Sequence, residues 1–508
     1  MKDRRMNVPL PRSPTGPFNP WMIACMISIA PFMEVLDTTI ANVSLTHIAG
    51  SLGASQSEST WVLTSYLVSN SIILPISGWL AQVVGRKRFY QICVALFTLS
   101  SVLCAVSTSL DMIIIARILQ GLGGGGLQPA AQSMLADSFP QEKRPQVFAL
   151  FGFTIIVAPA TGPILGGWLT DNLSWHWIFL INLPIGLVAL TLIGIFISEP
   201  ALLIKERREM LARGLKLDYF GLFLVAAGFG ALQIFLDKFE LDNGFSSPVI
   251  VTLCAVFVVS LSTLAVWEWQ HPQPVMNFRL FKIRNFAICS VVMFFIGFLF
   301  LSSTQLLPQL SQTLLGYDSE TAGMALALGS VVTILVMPLA GFVTGRFVQP
   351  RFLMAFALIE IGVSLILDAH LSLNVTFNDL SLVRIGQVVA LPFIYIPVSA
   401  SSYIGMPGVN NGEAAALINQ MRNIGGSIGI SFVTSMLAWR TQFHHARYVE
   451  SITPYTSLHG MSMAALARMV QTQAVFASYL DVFWIIGVIA LCVWPMVLFL
   501  KSPPKRAG

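Results

Sequence analysis

Long apolar runs recur from one end of this chain to the other, and they constrain its fold more than any motif does. They repeatedly exceed the roughly 18 residues needed to cross about 30 Å of hydrocarbon as a helix. Composition agrees: of 508 residues, 55% are hydrophobic and only 10% charged, far below the roughly 25% charged share of soluble domains. The sequence therefore specifies an all-α integral membrane protein, multi-pass and surrounded by lipid.

The runs place about fourteen spans, at roughly 21–46, 59–84, 89–108, 111–137, 147–170 and 174–198, then 218–236 and 247–268, then 286–310, 320–345, 351–369, 380–405, 411–438 and 478–500. The grouping is a block, an inserted pair and a second block. It divides the chain into a tail (1–20), a six-helix bundle (21–198), a basic linker (199–217), two inserted helices (218–268), a second linker (269–285), a second six-helix bundle (286–500) and a short tail (501–508). The 39 residues from Trp439 to Ala477 read as a long loop, far beyond a usual helix connection.

Lysine and arginine placement sets the orientation. With both termini inside, the basic residues gather on the cytoplasmic side: Lys2, Arg4, Arg5 and Arg12, then Arg86, Lys87 and Arg88, then Lys143 and Arg144. The same side takes Lys205, Arg207, Arg208, Arg213 and Lys216, and the later clusters around Arg279, Arg346 and Lys501. Only Lys238, Arg440, Arg447 and Arg468 fall on the other side, while Arg117, Arg384 and Arg422 lie inside spans. The net charge of +5 thus reports topology and gives no reason to expect nucleic-acid binding. The polar, proline-rich segment before the first span lacks the short apolar core and cleavage site of a signal peptide. The six cysteines all fall in spans without C-x-x-C spacing, which argues against disulfides and a thiolate metal site.

The polar residues inside spans carry the functional signal. A charged side chain at the centre of a membrane helix costs roughly 2.5–3.5 kcal/mol, yet the first span holds both Glu34 and Asp37. Three residues apart, they share one helical face, and Asn42 follows toward the span's end. This pattern points to a proton site. In the fourth span Arg117, Gln120 and Gln128 form a polar stripe with Gly121 and Gly124, and Arg117 is placed to neutralise those acids or to lock two helices together. The glycine run Gly121–Gly126 formally fits G-x-G-x-x-G, but that fingerprint needs a strand and a βαβ unit. Here glycines serve close helix approach or bending. No Walker A sequence occurs, so ATP is not the driver within this polypeptide, and no cofactor is expected.

The fifth span carries Pro159, Gly162, Pro163 and Gly166 on one face, a small-residue interface with residues that favour a kink. The second block is polar inside as well, with Glu360, Arg384, Asn419, Arg422 and Asn423, and these residues, together with Asn42, Gln120 and Gln128, are the candidate lining of a substrate cavity. A weak echo links the blocks: DMIIIARILQ at Asp111 to Gln120 parallels DLSLVRIGQ at Asp379 to Gln387, and Gly78, Arg88 and Phe89 parallel Gly341, Arg351 and Phe352. Two half-repeats with a site between them are a common transporter plan.

LDTTIANV at Leu36–Val43, GWLAQVVGRKR at Gly78–Arg88, RILQGLGGGG at Arg117–Gly126 and GPILGG at Gly162–Gly167 resemble the signature motifs of the major facilitator superfamily. More narrowly, the chain looks like the fourteen-span drug:proton antiporters of the EmrB/QacA type, over essentially its whole length. The resemblance implies the major facilitator fold and residence in a bacterial inner membrane. It implies a gating motif around Gly78, Gly85, Arg86, Lys87 and Arg88, although this chain has Gln82 where the family commonly has aspartate, which puts a charge-relay role at that position in doubt. WRTQFHHARYVESITPY at Trp439–Tyr455 resembles the matching segment of EmrB-like pumps, implying an EmrA-like periplasmic adaptor and a TolC-like outer-membrane channel as partners. His444 and His445 are adjacent, not at metal-ligand spacing, and read as loop residues.

The expected mechanism is alternating access coupled to protons. Asp37, with Glu34 as accessory or substitute, would exchange a proton as an amphipathic substrate is captured or released in a central cavity. Export of a dedicated metabolite, fatty acid or siderophore is the alternative. A passive facilitator fits the half-repeats poorly, and the scattered histidines offer no cluster for a membrane enzyme.

Overall fold

The computed structural model describes residues 19–212, 218–242, 244–452 and 462–501. The tail at 1–18, part of the basic linker (213–217, with Arg213 and Lys216), residues 453–461 and the last residues, 502–508, lie outside the described set. Among the described residues the fold is helical throughout, apart from one isolated bridge between Thr344 and Val348.

The first block comprises α1 (Pro20–Val43), α2 (Leu45–Leu52), α3 (Gln56–Ser59), α4 (Trp61–Val84), α5 (Arg86–Ala105), α6 (Leu110–Gly124), α7 (Leu127–Ser138), α8 (Arg144–Asn172), α9 (His176–Leu180) and α10 (Asn182–Phe196). The connection and inserted pair are α11 (Ala201–Ala212), α12 (Tyr219–Lys238) and α13 (Pro248–Gln270). The second block is α14 (Arg284–Leu314), α15 (Ser319–Val343), α16 (Pro350–Asp368), α17 (Phe377–Val389), α18 (Leu391–Ser401), α19 (Asn411–Ser451) and α20 (Met463–Val497).

Local chemistry sets these boundaries. Asn19 caps α1 by accepting from the Trp21 N–H at 3.0 Å, with Pro20 in the first turn. Thr376 and Asp379 form a reciprocal capping box at α17. Gly85, at φ 99°, makes the abrupt turn from α4 into α5. The fourth span breaks inside the glycine run, between α6 and α7. There an added Cβ on Gly123 would sit 2.7 Å from the Phe97 nitrogen, and one on Gly125 2.7 Å from the Asn70 carbonyl oxygen. The glycines therefore admit α4 and α5 at backbone contact.

Among the described residues twelve helices are long and apolar enough to cross a membrane, counting α6–α7, α9–α10 and α17–α18 as one each. A thirteenth is α8, bent by 45° between Pro159 and Ile164. The remaining expected span, 411–438, lies in α19, whose asparagines, glutamine, serines and Arg422 keep its mean hydropathy low. This helix has 41 residues, about 60 Å at 1.5 Å per residue.

The expected loop at 439–477 is mostly helix. No glycine or proline occurs between Trp439 and Ser451, so α19 continues after its apolarity ends, and α20 already begins at Met463. His444 is correspondingly not a loop residue: its Nε2 lies 2.6 Å from Asp481 on α20, which also accepts from Arg440 Nε at 2.6 Å. Hydropathy marks the end of a membrane helix, not the end of the helix.

In the first block α1 packs on α8, and α4 and α5 pack on α6; in the second α14 packs on α19, and α16 on α20. The blocks meet through α8 against α15 and α18, and α19 against α4 and α7. The inserted α12 packs on α13 and flanks this seam, touching both α4 and α19. Most of α13 is exposed, as suits a helix facing lipid.

Candidate functional site

Between the blocks lies a cavity of about 200 Å³, walled by α1, α4, α7, α8, α14, α18 and α19. Its lining is mostly apolar, with Ile155, Ile156, Ile296, Phe300 and Leu301 among the walls, and a few polar groups converge within it. Glu34 is one of them, only 5% exposed. Gln128 Nε2 donates to Glu34 Oε2 at 2.9 Å, while Asn70 Nδ2 and the Tyr66 hydroxyl donate to Oε1 at 3.3 and 3.4 Å. Across the seam, Arg422 Nη2 on α19 donates to Gln128 Oε1 at 2.5 Å. A carboxylate of the first block is thus linked through one amide to a guanidinium of the second.

Asp37 lies elsewhere. The two acids are near neighbours on α1, but Asp37 turns away from the cavity and is 2% exposed. Arg117 Nη1 donates to its Oδ2 at 2.6 Å; Gln120 Nε2 and Asn182 Nδ2 donate to Oδ1 at 2.9 and 2.6 Å. Arg117 is held in turn by Val62, whose carbonyl accepts from Nε at 3.0 Å, and by Gln120 Oε1 at 2.5 Å. Such a pair is weak evidence for net stability, but removing either partner strands a charge and costs about 3–5 kcal/mol. Tyr66 joins the two acids, since its ring lies 4.5 Å from the Arg117 guanidinium while its hydroxyl points to Glu34. The expected proton site, Asp37 with Glu34 as accessory or substitute, is therefore divided: Asp37 is the locked acid, and Glu34 is the acid that lines the cavity.

On the basic-loop side of the cavity a polar floor closes the seam. Asn419 Nδ2 donates to Gln132 Oε1 at 2.7 Å, and Gln132 Nε2 to the Tyr395 hydroxyl at 3.2 Å. At the basic-loop face itself, Arg86 pairs with Asp137 and donates through Nη2 to the Gly408 and Val409 carbonyls at 3.1 and 3.2 Å. Asn411 Nδ2 reaches Asp137 Oδ1 at 2.8 Å. Gln82 Nε2 donates to Glu413 Oε1 at 2.9 Å, and Asn277 Nδ2 to Glu413 Oε2 at 2.8 Å. Gly78 permits this approach: a Cβ there would fall 2.6 Å from Glu413 Cα. The blocks are thus clamped together at this face.

The remaining sequence-selected residues divide between these places and others. Pro159 and Asn423 line the cavity. Gly162 and Gly166 seat α8 on α1, where added Cβ atoms would meet Thr39 Cβ at 2.6 Å and Ile40 Cγ2 at 3.1 Å; the side chain of Pro163 lies outside the described set. Lys87 Nζ donates to the Gly194 carbonyl at 2.8 Å, and Arg88 is exposed. Several expected cavity residues do not line it: Asn42 is exposed near the end of α1, Glu360 is half-buried on α16, Arg384 is buried between α14 and α17, and Asn419 lies in the polar floor. Gln120 is also absent from the lining, being consumed by Asp37. Sequence reasoning missed Tyr66, Asn70, Gln132, Asn182, Asp137 and Glu413. Asn182 and Asn70 were findable as lone amides in apolar runs.

Two helical blocks, a cavity at their seam and a clamp at one face define a transporter, not an enzyme. The chain belongs to the Major Facilitator Superfamily, which it matches over residues 27–430, and within it to the EmrB/QacA type. It is 36% identical to the multidrug export protein EmrB of Escherichia coli (strain K12) over 500 residues, 95% of each chain. Similarity extends to the fatty acid resistance protein FarB of Neisseria gonorrhoeae, 32% identical over 96% of this chain and 97% of that one. The fold resembles the crystal structure of the human organic anion transporter MFSD10 with a TM-score of 0.60, at 14% identity, over 93% of this chain and all of that one.

Proposed function

We propose that this protein is a proton-coupled exporter of amphipathic small molecules, and that Glu34 is the carboxylate that exchanges the coupling proton. The observation that carries this reading is the division of labour on α1. Glu34 lines the cavity and is tied through Gln128 to Arg422 of the opposite block. Asp37 is closed in by three donors away from it.

In this mechanism the cavity opens alternately to the two sides. A proton reaching Glu34 from outside neutralises it and frees Gln128 and Arg422 from their linked arrangement, which loosens the seam. Deprotonation toward the cytoplasm restores the anion and re-forms the link. Asp37 and Arg117 hold α1, α6 and α10 in register, and Tyr66 passes strain between the acids. One charge crossing 100 mV is worth about 2.3 kcal/mol, so one proton supplies modest uphill power.

The basic-loop face is the cytoplasmic one by the positive-inside pattern, which makes the clamp at Arg86, Asp137, Gln82 and Glu413 an inner gate. The polar α19 counts as the fourteenth span, and both termini are cytoplasmic. The relatives favour a bacterial inner membrane. The extension of α19 and α20 beyond the bilayer supplies a surface for a periplasmic adaptor, feeding an outer-membrane channel. FarB's name favours a second reading, in which fatty acids are the substrate and Arg422 meets the carboxylate. Transport of ethidium and of a fluorescent fatty acid into proteoliposomes, under an imposed pH gradient, separates the two. Glu34→Gln abolishes gradient-driven accumulation of whichever is carried.

A further inference from the structure

We propose that Asp368, with Gln387 and Arg384, forms a second proton-binding site in the second block, separate from the central cavity. The inference rests on the proton-coupled reading of transport and extends it to a group that reading does not use.

The geometry repeats that of the first block. Arg117 and Gln120 lie one turn apart on α6, and Arg384 and Gln387 lie one turn apart on α17, at the same depth from the helix start. Each glutamine donates through Nε2 to a buried aspartate, Gln120 to Asp37 at 2.9 Å and Gln387 to Asp368 at 2.8 Å. The acid has changed helix, from the first helix of one block to the third of the other, but the arginine–glutamine–aspartate chemistry is retained.

The two copies differ in how completely the charge is matched. Asp37 receives an arginine and two amides. Among the described residues no ion pair joins Arg384 to Asp368, and Gln387 is the one side-chain donor that reaches this acid. Arg384 is 3% exposed and spends its guanidinium on neutral acceptors: Thr304 Oγ1 at 2.9 Å, Ser303 Oγ at 3.3 Å and Gln387 Oε1 at 3.5 Å. Its Nε has no partner. A buried cation without a carboxylate and a buried acid with a single donor therefore sit at either end of one amide. Asp37 meets three side-chain donors where Asp368 meets one, which leaves an oxygen of Asp368 open to a proton.

Two further polar side chains line up with it. Glu360, Ser364 and Asp368 recur every fourth residue, placing them on one face of α16. Gly386 of α17 lies over Ser364, where an added Cβ would be 2.5 Å from Oγ. Glu360 is half-buried at mid-span, with a buried Oε2 that has no partner. Glu360, near the centre of α16, costs roughly 2.5–3.5 kcal/mol if charged there; neither it nor Asp368, at the end of the helix, serves an ion pair among the described residues. The other ionisable groups on elements packed against α16 are engaged or distant. Asp379 caps α17 through Thr376, Tyr395 of α18 takes a hydrogen bond from Gln132, and Asp481 of α20 pairs with Arg440 and His444. Arg468, Tyr479 and Cys492 are the other ionisable groups on α20, and the exposed His370, in the turn after α16, contacts the Ile366 carbonyl.

Infrared pH-difference spectra of the purified full-length protein in lipid test this without needing a substrate, because protonated carboxyl groups absorb separately from carboxylates. Asp368→Asn removes one protonated-carboxyl band across the physiological pH range, and Glu34→Gln removes a different one. Gln387→Leu, which leaves the acid in place, keeps the Asp368 band but displaces its midpoint, so the site stays testable if Asp368→Asn folds poorly. Spectra of Asp368→Asn and Gln387→Leu that both superimpose on the native protein, beside a Glu34→Gln spectrum that loses a band, overturn the second site alone. Loss of no band in any of these variants overturns proton coupling as well.

Discussion

The clamp at the basic-loop face carries a charge whose effect can be worked out. Gln82 supplies an amide to this contact, and the carboxylate belongs to Glu413 on the opposite block, in the first turn of α19. Acids are favourable at a helix N-terminus, and Gln82 and Asn277 both donate to this one. Gln82→Asp removes a hydrogen bond to a charged group, worth about 1.5–3 kcal/mol. It also sets two carboxylates roughly 5 Å apart, which repel by ~3 kcal/mol at an effective dielectric constant near 20. Arg86 and its Asp137 partner still hold the face shut, so only part of this reaches the gate. Even ~2 kcal/mol changes the ratio of closed to open molecules roughly 30-fold. Spin labels on the basic-loop ends of α4 and α19, in a cysteine-free background, read that ratio as a distance distribution. Gln82→Asp moves it to longer distances, and adding Glu413→Gln returns it. Unchanged distances in the single variant, or no recovery in the double, refute the assignment of Glu413 as the carboxylate that holds this contact.

Three further outcomes follow from the same contacts. Arg117→Ala strands Asp37 and costs about 3–5 kcal/mol, seen as a lower thermal transition; Arg117→Ala with Asp37→Asn recovers most of it, and Arg117→Lys does not substitute, since a single ammonium nitrogen lacks the separate Nε and Nη1 positions that reach Val62 and the Asp37–Gln120 pair. Gly78→Val forces the Glu413 backbone away and opens the gate in the spin-label assay, whereas Gly50→Ala, with nothing within 4 Å of its added Cβ, changes nothing. Asp481→Asn releases Arg440 and His444 and speeds amide exchange in α19 beyond Trp439, at a cost of about 1 kcal/mol for this partly exposed pair, while exchange around Asp37 stays as it was.

Most of the architecture was legible because the bilayer makes a simple demand: enough apolar residues in a row, and basic residues on one side. Where the demand lapses, so did the reading. The part of α19 beyond Trp439 is a largely polar helix, stabilised by propensity and by Asp481, and loss of hydropathy at Trp439 looked like loss of structure. At the site, periodicity placed Glu34 and Asp37 on one face but could not say which neighbour each meets. That depends on Tyr66 and Asn70 of α4 and Asn182 of α10, brought in by tertiary packing. Arg384 and Glu360 were visible as costly polar residues in spans. Their distance from the cavity was not, because a helical pattern fixes a face without fixing its partner. Glu413 was missed because its partner, Gln82, is hundreds of residues away in sequence.

The central claim is that Glu34, and not Asp37, exchanges the coupling proton. Its most direct test is substrate-induced proton movement in proteoliposomes carrying a trapped pH indicator, comparing the native protein, Glu34→Gln and Asp37→Asn with Arg117→Ala. The account predicts that Glu34→Gln exchanges substrate across the membrane without moving protons, while the double variant, its ion pair replaced by neutral groups, still couples the two. Proton flux that survives in Glu34→Gln and disappears in the double variant would contradict it and return the role to Asp37.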